Sequence, residues 1–442
     1  MSEPIEAFKN AFKIPELKSR LLFTLAMLAL YSLGRHVPVP GVDGAALAKS
    51  MGGGGLMGFY DIFTGGAFSN ATVFALGIMP YITASIILSL LVPVIPSLEA
   101  LQKSGQEGQK KITEYTRYGT IGLCLVQGTG IAIWMQGLGP EIVPRPGFFF
   151  IVMGVITLTT GTAFIMWLGE QISENGVGNG ISLVIFASIV SRMPIAVFSL
   201  FRLVSNRQVD MFTALILVGL MIVVVAGAIM VTTGQRRIPV QYPRAVKGRR
   251  VSGGQRTYLP LRVNQAGVIP IIFAASILSF PAMISQGINV PWMETIFDVL
   301  FDQTGLPYMA LYTGLIVFFS FFYTAIIFNP VEMADNMKKY GGVIVGVRPG
   351  KATADYLNRV MTRITMVGSV FLALVALLPN LVIAVLHVPD WNIAQFFGGT
   401  SLLILVGVAL DTTKQIEQHL IMRHYDGFGG SGGKVRGRRG RL

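Results

Sequence analysis

Side chains able to make or break bonds are scarce in this sequence. The one cysteine, Cys124, sits in an apolar run, so the chain can form no internal disulfide and no multi-cysteine metal site. His36, His387, His419 and His424 make no metal-ligand spacing with one another, and neither a P-loop nor a His-Glu-x-x-His run is present. No catalytic constellation emerges, and no cofactor is expected. Apart from the fifth apolar run, charges lie at run edges, as at Arg117, Glu170 and Asp411. Ion-coupled transporters keep an ionisable group at depth despite a cost of about 2.5 to 3.5 kcal/mol, so proton or sodium coupling is disfavoured. The spacing that remains is aliphatic. Ile78, Ile82 and Ile86 recur every four residues, and Ile272 follows a proline by two positions as Ile82 does. A ring of isoleucines closes a pore by excluding water and binds no particular solute; taken singly, each isoleucine also fits ordinary core packing.

The elements that carry these residues must be membrane spans. Of 442 residues, 52% are hydrophobic and 13% charged, against about 25% charged in soluble domains, and the mean hydropathy is +0.62. Apolar runs fall at roughly 21–38, 71–95, 118–136, 148–168, 181–200, 211–233, 265–285, 308–328, 364–387 and 396–411, each near the ~20 residues a helix needs to cross a bilayer. The fifth is interrupted by Arg192 and Pro194, and the last is short and bounded by Asp411. Residues 1–20 read either as an amphipathic segment with Ile5, Phe8 and Phe12 on one helical face, suited to an anionic membrane surface, or as a frayed tail. The first run has no small-residue cleavage site after it and reads as an anchor.

Two runs contain a glycine and a proline in the same pattern. Gly77-Ile78-Met79-Pro80-Tyr81-Ile82-Thr83-Ala84 is echoed by Gly267-Val268-Ile269-Pro270-Ile271-Ile272-Phe273-Ala274, each in the second run of its half of the chain. A mid-span proline deletes a backbone hydrogen bond that lipid cannot replace, so both helices should bend and face protein or a water-filled cavity. Matching broken helices in two halves point to a pathway between them; a chance echo is the alternative. Before the first copy, four glycines from Gly52 lead into an aromatic and aliphatic stretch too short to span. It either folds back among the helices or packs as a surface loop.

Cations set the orientation. Of 35 Lys and Arg, 29 fall on the side of the termini and six on the other, which puts both termini and the long basic loops in the cytoplasm. Arg192, Arg202 and Arg207 violate that rule locally. Loops 234–263, with eight cations and no acid, and 329–363, with six cations, suit an anionic partner such as ribosomal RNA, an acidic protein face or anionic lipids. The Gly- and Arg-rich tail, residues 426–442, reads as low-complexity and disordered.

Phe74-Ala75-Leu76-Gly77-Ile78-Met79-Pro80-Tyr81-Ile82, Tyr115-Thr116-Arg117-Tyr118-Gly119-Thr120, Trp167-Leu168-Gly169-Glu170-Gln171-Ile172 and Gly178-Asn179-Gly180-Ile181-Ser182 resemble the bacterial SecY family of the Sec protein translocon. So do Gly234-Gln235-Arg236-Arg237-Ile238, Gly267-Val268-Ile269-Pro270, Phe321-Phe322-Tyr323-Thr324-Ala325 and Gly398-Gly399-Thr400-Ser401-Leu402-Leu403-Ile404. The resemblance implies an all-α polytopic membrane protein of ten helices in two pseudo-symmetric halves, residues 21–210 and 211–425, around a central pore. Its pore ring falls on Ile78, Ile82, Ile185, Ile272, Ile277 and Ile404, and its plug on about 56–68, including Leu56, Phe59, Tyr60, Ile62 and Phe63. Thr83, Gln127 and Asn264 resemble polar residues of a lateral gate between the second and third spans and the seventh and eighth. Arg249, Arg250 and Arg348 match basic positions that dock the SecA motor or the ribosome. The implied function is a non-enzymatic channel in the plasma (inner) membrane. It would secrete unfolded preproteins and insert membrane proteins, with SecE and SecG as partners and signal sequences and nascent chains as cargo. An inverted-repeat transporter of a small solute is the alternative, and it would need a polar midplane site.

Overall fold

The computed structural model describes residues 14–50, 61, 63–242, 245–247, 250–252, 256–285, 305–386, 388 and 391–429. Leu56, Phe59, Tyr60, Ile62, Arg249, His387 and the segment 430–442 lie outside them. Apolar runs become helices because only a helix satisfies each backbone group within one segment where water is absent. The first five runs give α1 (Pro15–Gly34), α3 (Met79–Leu91), α5 (Gln106–Gly137), α6 (Phe148–Asn175) and α7 (Gly180–Ser205), with short helices α2 (Gly44–Ser50) and α4 (Pro96–Lys103) between them. The next four give α8 (Met211–Thr233), α9 (Ile269–Ser285), α10 (Leu306–Ile327) and α12 (Lys351–Leu386), with α11 (Pro330–Lys339) before α12. The tenth run is divided by Gly399 between α13 (Trp391–Gly398) and α14 (Thr400–Gly429). The helix continues to Gly429, beyond the expected start of the tail at 426.

Among the described residues, seven helical segments are long and apolar enough to cross a bilayer, and α3 with α4, bent by 99°, is an eighth candidate. The protein is a multi-pass membrane protein. α7 runs unbroken through Arg192 and Pro194.

The second run departs from expectation. Residues 65–78 are turns apart from an isolated bridge between Thr72 and Pro38, and the helix begins only at Met79, so Pro80 sits in its first turn and does not bend a span. Pro270 likewise occupies the second position of α9. The missing N–H costs nothing in a first helical turn, where that donor has no intrahelical partner. The glycine three residues earlier takes the left-handed backbone in both copies, with φ +57° at Gly77 and +64° at Gly267. The repeat therefore encodes a helix start at depth, where we expected a kink.

Neighbour relations repeat as well. In the first five spans α1 packs on α6 and α7, α3 on α5 and α6, α5 on α6, and α6 on α7. In the second, α8 packs on α12 and α14, α9 on α10 and α12, α10 on α12, and α12 on α13 and α14. Between the sets, α9 packs on α3 and α5, and α7 on α8, α13 and α14.

The first basic loop is built of strands and the second contributes one more strand between α11 and α12, which corrects the all-α expectation. β1 (Gln235–Gln241) pairs antiparallel with β4 (Arg256–Arg262), β2 (Ala245–Lys247) with β3 (Arg250–Ser252), and β5 (Val343–Ile344) from the second loop adds to the other edge of β1. Ile238 and Val240 alternate inward from β1 and pack with Ile344, Phe328, Leu357 and Met361, fastening the sheet to α10 and α12.

Candidate functional site

The ring positions are built at helix starts. Ile78 is the N-cap of α3 and Ile82 its fourth residue; Ile272 is the fourth residue of α9, Ile185 the sixth of α7 and Ile404 the fifth of α14. Ile277 lies one to two turns further along α9. Ile78, Ile82, Ile185, Ile272 and Ile404 are buried in one hydrophobic cluster, and the half-buried Ile277 packs against it. Ile82 and Ile272 are 7% and 8% exposed, so neither turns outward. A polar cavity of about 430 Å³ adjoins this level, lined by Asn179, Arg262, Gln265 and Gln415 together with Val268, one residue before α9, and Val408, one turn beyond Ile404. Apolar side chains gathered in this way impose no directional demand on what packs against them, because dispersion has none.

The stretch before α3 occupies the middle of the first five helices. Of the plug positions, Phe63 is described and buried, and Thr64, Ala67, Phe68 and Ala71 are fully enclosed. The fold-back arrangement accounts for that described part. Phe68 stacks on Trp134 of α5 at 5.8 Å, and Phe74 on Tyr31 of α1 at 5.8 Å and Phe164 of α6 at 6.1 Å. Irregular backbone at this depth must find partners. Val39 N–H donates to Ala71 O (2.8 Å), Val73 N–H to Val37 O (2.9 Å) and Gly77 N–H to Phe74 O (2.8 Å).

Sequence reasoning missed a polar knot here. Asp61 is buried, and its carboxylate accepts from Ser69 N–H (2.9 Å), from Ser69 Oγ (2.8 Å) and from Arg192 Nη2 of α7. Arg35, at the end of α1, donates to Ser191, and Tyr31 shares a 2.6 Å hydrogen bond with Ser188. Buried charge is thus present at depth, but as a pair. Ser188, Ser191 and Arg192 at i, i+3 and i+4 make one polar stripe on an apolar helix, a spacing that was legible.

The residues expected at a lateral gate, Thr83 on α3, Gln127 on α5 and Asn264 just before α9, are all buried, but two spend their polar groups locally. Thr83 Oγ1 donates to Met79 O (3.0 Å), and Asn264 Nδ2 to Gly267 O (2.9 Å), which stabilises the left-handed turn before α9. Gln127 keeps a buried Oε1 without a partner in the structure. A cleft of about 990 Å³ opens between the sets, lined by Tyr81, Ser85 and Thr113 on one side and Phe322, Ile326 and Asn336 on the other. Among the positions expected to dock a partner, Arg348 is exposed and Arg250 lies on β3; Arg249 falls outside the described residues.

This geometry matches proteins already known. A family model described as SecY matches residues 72–413. A protein translocase subunit SecY from Streptomyces coelicolor is 49% identical over 440 residues, covering 96% of this chain and 99% of that one. The chain belongs to the SecY family. Two solved structures share its fold. "The structure of a protein conducting channel" superposes with a TM-score of 0.68 at 20% identity, covering 95% of this chain and 98% of that one. "Sec61 in the Canine ribosome-channel complex from the endoplasmic reticulum" gives 0.65 at 18% with the same coverage. In this SecY-family chain the buried isoleucine positions, the buried segment ahead of α3 and the cleft between α3, α5 and α10 are therefore parts of one fold.

Proposed function

We propose that this chain is the pore of a Sec translocon. It passes unfolded preproteins across the bacterial plasma membrane and releases apolar segments sideways into the bilayer. The observation that carries the reading is that the six expected ring isoleucines, from four helices and one helix cap, lie in or against one buried apolar cluster, and we read them as a collar. The repeated neighbour relations support ten spans in two halves, 21–210 and 211–425, with α1, α3, α5, α6 and α7 matched by α8, α9, α10, α12 and α13–α14.

A signal sequence is itself an apolar helix, and it enters at the seam where α3 and α5 meet α9, beside the 990 Å³ cleft. Thr83, Gln127 and Asn264 flank that seam as gate residues. Segment 56–68 is the plug that must leave for a chain to pass. The cytoplasmic sheet, with Arg249, Arg250 and Arg348, receives the SecA motor or the ribosome, whose negative surfaces complement it. SecE and SecG complete the assembly, and anionic lipids hold the N-terminal segment. The cation distribution supports cytoplasmic termini.

Ile82→Asn combined with Ile272→Asn puts two amides into the collar and wets it. The expected result is ion leak through the resting translocon in vesicles, read as conductance. Conductance equal to wild type would overturn the reading.

A further inference from the structure

Arg192 stood out in the sequence as a cation on the side where cations are depleted. The structure supplies a reason. Its guanidinium reaches across to Asp61, whose side chain is only 7% exposed, while its own is 21% exposed. The Asp61 carboxylate also receives both hydrogen bonds from Ser69, eight residues on, so one anion closes the turn of segment 61–70 and ties it to α7.

The backbone is shaped for this contact. Gly65 and Gly66 both take left-handed conformations, at φ +66° and +93°. A Cβ on Gly66 would stand 3.0 Å from Arg192 Nη2, and one on Gly65 would stand 2.2 Å from Arg35 Nη1 and 3.0 Å from the Ser188 Cα. Two adjacent glycines therefore let two guanidiniums and the α7 backbone approach at once. Arg35 holds the far side of the same stripe through Ser191.

We propose that the Asp61–Arg192 ion pair is a latch that holds the plug segment against α7 in the resting channel, and that opening requires it to part. A largely buried pair suits this role because its two members lose much when separated without new partners. Outward movement of the segment into water rehydrates both, which makes the latch reversible. The cost of opening thus resides in a charge contact that a signal sequence, being apolar, cannot replace; it must be overcome by the helix entering at the seam.

This rests on the channel reading, and the experiment separates the two. The complete translocon with R192Q, D61N or R192K is reconstituted in vesicles, and resting ion conductance is compared with wild type and with the Ile82→Asn, Ile272→Asn double variant. We expect R192Q and D61N to raise resting conductance by on the order of tenfold, the equivalent of about 1.4 kcal/mol. Both should also export a preprotein with a crippled signal sequence better than wild type does. R192K, which keeps the charge through a single contact, should stay near wild type. D61N preserves side-chain shape and carries the test should R192Q fail to accumulate. A leaky double variant beside tight R192Q and D61N would overturn the latch alone; a tight double variant would overturn the channel reading itself. R192K as leaky as R192Q would also overturn the latch, since packing and not charge would then be what matters.

Discussion

Single residues in the first five helices are constrained most where backbone meets backbone. A Cβ on Gly161 of α6 would lie 2.0 Å from Val73 O and 2.8 Å from the Val73 carbonyl carbon. Neither atom is the end of a flexible side chain, so Gly161→Ala must push α6 away from the buried turn ahead of α3. We expect it to destabilise the protein by about 1 to 3 kcal/mol, visible as a lower thermal midpoint in detergent. Arg117 and Glu170 illustrate the opposite case. Their two parallel 2.8 Å hydrogen bonds join α5 to α6 with ideal geometry. Arg117 is 44% exposed on its side chain, however, so solvent screens the pair.

At the scale of elements, the Gly-x-x-Pro repeat sets where two helices begin. Both glycines use a backbone that costs an L-residue roughly 1 to 2 kcal/mol, yet their surroundings differ. A Cβ on Gly77 would stand 2.8 Å from Thr64 Cγ2, whereas nothing lies within 4 Å of a Cβ at Gly267. Gly77→Ala should therefore cost clearly more than Gly267→Ala, and the second should show only the backbone penalty of about 1 kcal/mol. Thermal melts of the two variants side by side check this; equal losses would mean that the tight contact relaxes freely. Placing the prolines in first turns also explains why the irregular stretch 65–78 is tolerated. Side chains of α1, α5, α6 and α7 pack around it.

At the scale of the whole molecule, two loops about a hundred residues apart in the chain become one basic platform through the β1–β5 pairing at Val240 and Ile344. Arg348 stands exposed just past β5, so Arg348→Glu reverses charge on that platform without touching a span. Affinity for SecA or the ribosome should fall several-fold, with channel assembly and resting conductance unchanged; unaltered docking would remove Arg348 from the interface. The apolar spans and the glycine-proline echo were legible in the sequence, because hydropathy and backbone exceptions act locally or as sums over the chain. The hairpin was legible in part, since Ile238 and Val240 alternate with exposed residues, but its third strand comes from another loop. Only tertiary structure decided that Pro80 opens a helix and does not bend one, because helix length depends on what shields the unpaired turn before it. Only tertiary structure, too, found Arg192 its anion. Asp61 lies 131 residues away, and no periodicity or composition links two charges that meet solely because folding buries them together.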